Sequence, residues 1–265
     1  ITFPLKRKKK LSTYWKIVRE LRKENGELGV IFVNTFISAL LFRLGNVKKN
    51  IGYNREGRGF LLDFSPEINY HKHYINRYAF LFNEYIGNKY VYLPELSLRH
   101  TGQKTFQFDN SHKTIALYLG GENKEFRKYP DEYAVQLLRL LNRQGYNLLL
   151  IGDENDNIKH TQYAEEARID HLINLTARTT IEGFINTIAN VDLIITIDSS
   201  ALHIAAAVKT PFIALMGLST SPTSTILPKV PLGRILKIEN NLIREEDYIR
   251  NITPDLILKT ISELI

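Results

Sequence analysis

Short, continuous apolar runs recur at regular spacing through the second half of the chain, and amphipathic stretches fill the gaps between them. An apolar run bounded by polar residues reads as a buried strand, and apolar positions three and four apart read as a helix face. Strands are predicted at 114–119, 147–151, 172–175, 193–197, 212–216 and 235–238, with helices at 131–143, 156–168, 180–190 and 199–208. Such alternation produces parallel strands joined by right-handed crossovers, a doubly wound Rossmann-like sheet. A last helix at 254–265 is expected to lie beyond that sheet.

The first half is less regular. Tyr14, Trp15, Val18 and Leu21 at helical spacing predict a helix over 12–25, with Ser12 as N-cap and Gly26 as terminator. A buried strand at 28–34, a helix at 35–44, a candidate strand at 50–53 and a long helix at 71–87 follow. The polar stretch 94–112 lacks periodicity and is read as the crossover between domains. The divisions are therefore 1–110, 111–245 and a C-terminal helical segment 246–265. One convincing strand in about 110 residues is few for a doubly wound half. The first βαβ portion is accordingly expected to be absent from this chain, which begins at Ile1; the alternative is a small irregular α/β cap.

Composition changes this picture in two ways. The chain has no cysteine, which excludes a disulfide framework and thiolate metal sites. Its net charge of +7 is uneven: residues 1–110 carry 19 Lys and Arg against 9 Asp and Glu, whereas the remainder is mildly acidic. One domain alone thus meets an anionic partner. The run KRKKK at 6–10 is either a solvated loop or a contact for anionic lipid head groups. No apolar run approaches the ~18–20 residues that span a bilayer, and no signal peptide is evident.

Four polar clusters stand at predicted strand ends: GGENKEFRKYP, GDEND, TARTT and DSSALH. The carboxyl ends of strands form the ligand edge of such a sheet. In the last cluster a strand, a short polar turn and a helix N-terminus follow one another. Free N–H groups and the positive helix end favour an anion there, so Asp198, Ser199, Ser200 and His203 are candidate phosphate contacts. In the first cluster Gly120 and Gly121 let backbone approach a ligand. Arg127 suits bidentate phosphate contact and Lys128 a point-charge contact. Glu154 is placed to accept ribose hydroxyls. Asp153, Glu154 and Asp156 otherwise serve as helix caps. The closeness of Asp198, Ser199 and His203 does not make a hydrolase triad, since no G-x-S-x-G elbow is present. Neither a Walker A loop nor a metal-ligating set is found: His71 and His73 are two apart and do not share a helix face.

These residues resemble those of glycosyltransferase family 9, the ADP-heptose:lipopolysaccharide heptosyltransferases. The resemblance is carried by ALYLGGENKEFRKYPDEYAVQL, LLLIGDEND and NLTARTTIEGFINTIANVDLIITIDSSALHIAAAVKTPFIALMG, and more weakly by VKKNIGYNREGRGFLL. It implies an α/β, GT-B-like fold of two Rossmann-like domains facing a cleft, the N-terminal one incomplete here. It also implies a nucleotide-sugar donor held mainly by the second domain. By motif position, Arg127 contacts donor phosphates and Glu154 binds ribose, while Asn123 and Glu122 stand where small hydroxyl residues often line the diphosphate, Glu122 departing from that pattern with a carboxylate. Thr179 matches an adenine-pocket position, and Asp198, Ser199, Ser200 and His203 match the family's D-T/S-G motif and its following histidine. Ser200 stands where the motif has glycine, and Tyr129 where it has tryptophan. The implied reaction is an inverting, metal-independent transfer of heptose from ADP-heptose to a lipopolysaccharide core acceptor. No cofactor is needed, and the catalytic Asp base has no counterpart in the chain. Arg55, Arg58, His71, Lys72 and Arg77 are candidate contacts for the anionic glycolipid acceptor.

The alternatives are another GT-B nucleotide-sugar enzyme, such as an epimerase, or a non-catalytic nucleotide-sugar-binding subunit. Nucleic-acid binding rests on charge alone and is opposed by the acidic second half. The expected location is the cytoplasm, with peripheral contact at the inner membrane.

Overall fold

The computed structural model describes residues 11–91, 96–108, 111–218, 227–228, 230–238 and 244–265, without the side chains of 122, 123, 125, 245 and 246. The basic run 6–10 lies outside the described residues. The chain divides into two compact units with the boundary between 94 and 95.

In the first unit, α1 (Leu11–Glu24) is followed by β1 (Leu28–Ile31), α2 (Phe36–Leu44), β2 (Lys49–Gly52) and α3 (Tyr74–Tyr85). β1 and β2 pair in parallel, Leu28 opposite Lys49 and Ile31 opposite Gly52, so the candidate second strand is real. Val18 is the buried residue of α1, and Leu21 packs so closely on Gly45 that a Cβ at 45 would come within 2.6 Å of its own Cβ. Thr35 caps α2 by accepting the Ser38 N–H. α3 starts at 74 rather than 71, because His73 acts as N-cap and accepts the Ile75 N–H.

The second unit holds β3 (Thr114–Tyr118), α4 (Asp131–Arg143), β4 (Asn147–Leu150), α5 (Asn157–Ala167) and β5 (Leu172–Asn174). It continues with α6 (Ile181–Ala189), β6 (Leu193–Ile197), α7 (Ser200–Val208), β7 (Phe212–Leu215), β8 (Gly233–Leu236) and α8 (Pro254–Ile261). The six strands are ordered β5-β4-β3-β6-β7-β8, and every pairing is parallel. The strand order reverses between β3 and β6, which opens the crevice where such sheets bind ligands. Every residue of β3, β4, β6 and β7 is buried, as covering both faces with helices requires.

Three expectations change. Residues 96–108 belong with the second unit rather than forming a crossover. The Leu98 N–H donates to Ala207 O, Asn186 bonds Thr101, Thr105 bonds Thr187, and Phe106 and Phe108 pack on the core. The C-terminal segment is not a separate division: Ile249, Ile252, Ile257 and Ile261 are buried in the same core as the sheet. β8 sits two residues earlier than its apolar run suggests. As an edge strand it is fixed by pairing with β7, and Gly233 there leaves room for the Phe212 ring, which a Cβ would approach to 2.1 Å.

Candidate functional site

The site grows from the carboxyl ends of β3 and β6. After β6, Asp198 is buried, and Ser199 takes extended backbone as N-cap of α7. Its Oγ accepts the Ala201 N–H at 3.2 Å and lies 3.0 Å from Thr196 Oγ1. Ser200 opens the helix in ordinary helical conformation, so the serine in place of the motif glycine introduces no positive φ. Ser200 and His203 are exposed on the first turn, while Ala201, Leu202 and Ala205 anchor the helix in the core.

After β3, the chain turns through Gly120 at φ +81° into a 3-10 helix, Glu122–Arg127. Both glycines admit the protein's own neighbouring loops. A Cβ on Gly120 would lie 2.7 Å from Ile197 Cδ1, and one on Gly121 would lie 2.6 Å from Asn155 O. Gly217, after β7, lets its loop reach Phe126 O in the same way, at 2.5 Å. The loops following β3, β4 and β7 thereby meet at one edge, against the end of β6. Arg127 Nη1 donates to Asp198 O at 3.4 Å, which draws its guanidinium to the start of α7.

Lys124, which the sequence reading passed over, is a second cation at this edge. Its stem lies against Gly120, and its ammonium is 3.0 Å from Asp153 Oδ2 and 5.6 Å from the centre of the Tyr118 ring. Burial acts to raise the Asp153 pKa, but the Lys124 and Asn155 hydrogen bonds outweigh it and hold the carboxyl below its usual value. Asp153 and Asp156 form a capping box around the 3-10 turn Glu154–Asp156, so the capping role read for them is present. Glu154 projects from that turn, exposed, at the end of β4. Beneath it His160 is fully buried, with Nδ1 2.7 Å from Thr176 Oγ1, and burial lowers its pKa to about 4. Thr179 follows β5 and precedes Thr180, the N-cap of α6. The side chains of Glu122 and Asn123 lie outside the described ones.

Lys128 is corrected: its ammonium pairs with Asp131 at 2.7 Å. It lines a separate hollow of about 300 Å³ with Asp131, Arg244, Asp247 and Arg250, whose charges pair among themselves and with Glu132. Tyr129, in the tryptophan position, is buried and donates its hydroxyl to Ile252 O at 2.8 Å. A larger cavity, about 780 Å³, opens at the amino ends of β3, β4 and β6, beside Thr114, Asn147 and Asp192. That is the opposite edge of the sheet from the crevice.

The pattern that describes Glycosyltransferase family 9 (heptosyltransferase) matches residues 14–246, most of the chain. The chain belongs to glycosyltransferase family 9. Among its relatives, lipooligosaccharide heptosyltransferase 2 of Haemophilus influenzae is 26% identical over 96% of this chain and 81% of the relative. Lipopolysaccharide heptosyltransferase 2 of Escherichia coli K12 is 23% identical over 94% and 78%. The solved structure of E. coli ADP-heptose LPS heptosyltransferase II matches at a TM-score of 0.80 with 22% identity, covering 96% of this chain and 81% of that one. E. coli heptosyltransferase WaaC with ADP-2-deoxy-2-fluoro heptose matches at 0.70 with 14% identity, covering 96% and 78%. The fold is α/β and GT-B-like, and this family-9 chain is a glycosyltransferase.

The acceptor-side expectations for the family-9 enzyme need revision. Arg58 is 0% exposed and makes five donor contacts, to the carbonyls of Val33, Thr35 and Tyr53, Ser38 Oγ and Asn34 Oδ1. It braces the loop after β1 against the end of β2 and cannot also meet an acceptor. Arg77 is likewise internal, donating to Lys72 O and Tyr70 O and lying 4.6 Å from the Tyr74 ring centre. Arg55 is exposed over the Tyr70 ring, and Lys72 is half-buried over Phe80, 3.9 Å from Glu84. His71 is exposed ahead of α3.

Proposed function

We propose that this family-9 glycosyltransferase transfers heptose from ADP-heptose to a lipopolysaccharide core acceptor, with inversion and without a metal ion. The observation that carries the reading is Arg127 held at 3.4 Å from Asp198 O, at the strand-order reversal and beside the N-terminus of α7. The solved structures of WaaC with ADP and with a fluoro analogue of ADP-heptose, of the same fold, supply the donor class. Arg127, Lys124 and the α7 N–H groups face the diphosphate, Glu154 the ribose and Thr179 the base, with Asp198, Ser199, Ser200, His203 and Asn123 completing the donor site.

In this reaction an acceptor hydroxyl loses its proton to a base on the acceptor side, and its oxygen bonds the anomeric carbon from the face opposite the diphosphate. The bond from that carbon to the phosphate oxygen breaks, and ADP leaves with its electron pair. Arg127 and Lys124 supply the positive charge that stabilises this leaving group. No cofactor beyond the donor is invoked. Arg55 and Lys72 remain as contacts for an anionic glycolipid. Among the described residues no helix is long and apolar enough to cross a membrane. Contact with a bilayer, in this reading, is peripheral.

Titration with ADP, UDP and GDP tests the donor class; tightest binding of ADP is expected. Incubation with ADP-heptose and a heptose-deficient core, followed by mass analysis of the glycolipid, tests the transfer. A preference for UDP would overturn the donor assignment in favour of another GT-B nucleotide-sugar enzyme. ADP binding without product would favour a non-catalytic nucleotide-sugar-binding subunit.

A further inference from the structure

The donor site uses none of α1, yet α1 has an unusual outer face. Leu11 is 75% exposed and Trp15 56% exposed. By the helical period, Leu11, Trp15 and Arg22 share a row with the buried Val18 and rim the packed face, and Ser12, Lys16, Arg19 and Lys23 form the next row outward, all exposed. Together they cover an arc of about 140°, and Glu20 and Glu24 fall outside it. Two of the four cations have local partners, Lys23 with Glu20 at 2.9 Å and Arg22 with Leu44 O at 2.9 Å, both at the solvent surface where such contacts are weak. In sequence, this face continues directly from the five basic residues at 6–10.

We propose that α1 is an interfacial helix that lies on an anionic lipid bilayer, with Leu11 and Trp15 entering the head-group layer and Lys16, Arg19, Arg22 and Lys23 meeting lipid phosphates. Charge complementarity selects the occupant. A helix with basic residues beside an exposed indole and leucine lies in the plane of such a surface. A nucleic-acid backbone would satisfy the cations but gives exposed Leu11 nothing to bury against. The inference is independent of which nucleotide sugar is bound. Its consequence is that an enzyme acting on a glycolipid would be held at the surface where that substrate resides.

The test uses the only tryptophan in the chain, Trp15, as its own reporter. The full chain is titrated with vesicles of phosphatidylethanolamine and phosphatidylglycerol, and separately with phosphatidylcholine vesicles. The Trp15 emission is followed together with co-sedimentation. A blue shift and co-sedimentation are expected with the anionic vesicles only, both weakened in about 0.5 M salt. The double change Lys16→Glu with Arg19→Glu is expected to weaken partitioning more than about twentyfold, since each basic residue at an anionic surface contributes about fivefold. Leu11→Ser keeps the reporter and all the charge, and is expected to reduce the blue shift. The proposal is overturned if the wild-type emission and sedimentation are unchanged by anionic vesicles. It is equally overturned if a DNA duplex gives the same shift, or if the shift grows with protein concentration alone, which would assign the face to a second copy.

Discussion

Arg127 and His160 show two ways in which single residues shape this edge. Arg127→Ala removes a charge-assisted contact and is expected to weaken ADP binding by at least ~1 kcal/mol in calorimetry; unchanged affinity in the folded variant would take Arg127 out of the site. Lys124→Gln is expected to act in the same direction. His160 predicts acid sensitivity. Burial lowers its pKa from 6.5 to about 4 in the folded protein, so the unfolded chain takes up a proton that the folded one excludes. The stability it contributes is whole above about 6.5 and is lost as pH falls towards about 4. Thermal melts of His160→Gln across that window should be lower overall but flatter with pH than wild type. The placement of Arg127, Glu154 and the Asp198–Ser199–Ser200 turn at the carboxyl edge of the sheet was legible because strand ends and helix starts mark that edge in sequence. Lys124 and His160 were not, because their roles come from Asp153 and Thr176, 29 and 16 residues away. Arg58 and Arg77 were misread for a related reason: an arginine that spends its guanidinium on carbonyls looks, in sequence, like one that faces solvent.

At the scale of elements, the edge loops fit by close approach of backbones. Gly121→Ala would bring a Cβ within 2.6 Å of Asn155 O. Such overpacking should cost about 1–3 kcal/mol in denaturant titration and weaken ADP binding alongside. Ala177 points the other way. It is held at φ +60° in the loop after β5, where its N–H donates to Gly152 O. Ala177→Gly should therefore stabilise the protein by about 1 kcal/mol, and a loss of stability would show that the Ala177 methyl group packs usefully. The alternation of elements was readable because buried parallel strands are continuous apolar runs. The boundary at 94 was not, since 96–108 joins the second unit through side-chain bonds such as Thr105 to Thr187 and leaves no periodic trace.

At the scale of the molecule, the two units can be perturbed separately. Arg58→Met removes five donor contacts within the first unit, one of them wholly buried and four partly buried, at a cost of roughly 3 kcal/mol. Differential scanning calorimetry should show that loss, while ADP affinity stays unchanged because the residues proposed to hold the donor all lie in the second unit. Heptose transfer should fall with the first unit. The second unit also has a finishing order. Tyr129, within the motif that carries Arg127, is tied to Ile252, and α8 packs against α4. Synthesis runs from the N-terminus, and domains fold as units when their parts are present. The loop that carries Arg127 is thus braced only once residues 123 positions beyond Tyr129 are in place, and a nascent chain that stops short of α8 has the sheet's strands but not the packing that holds this edge.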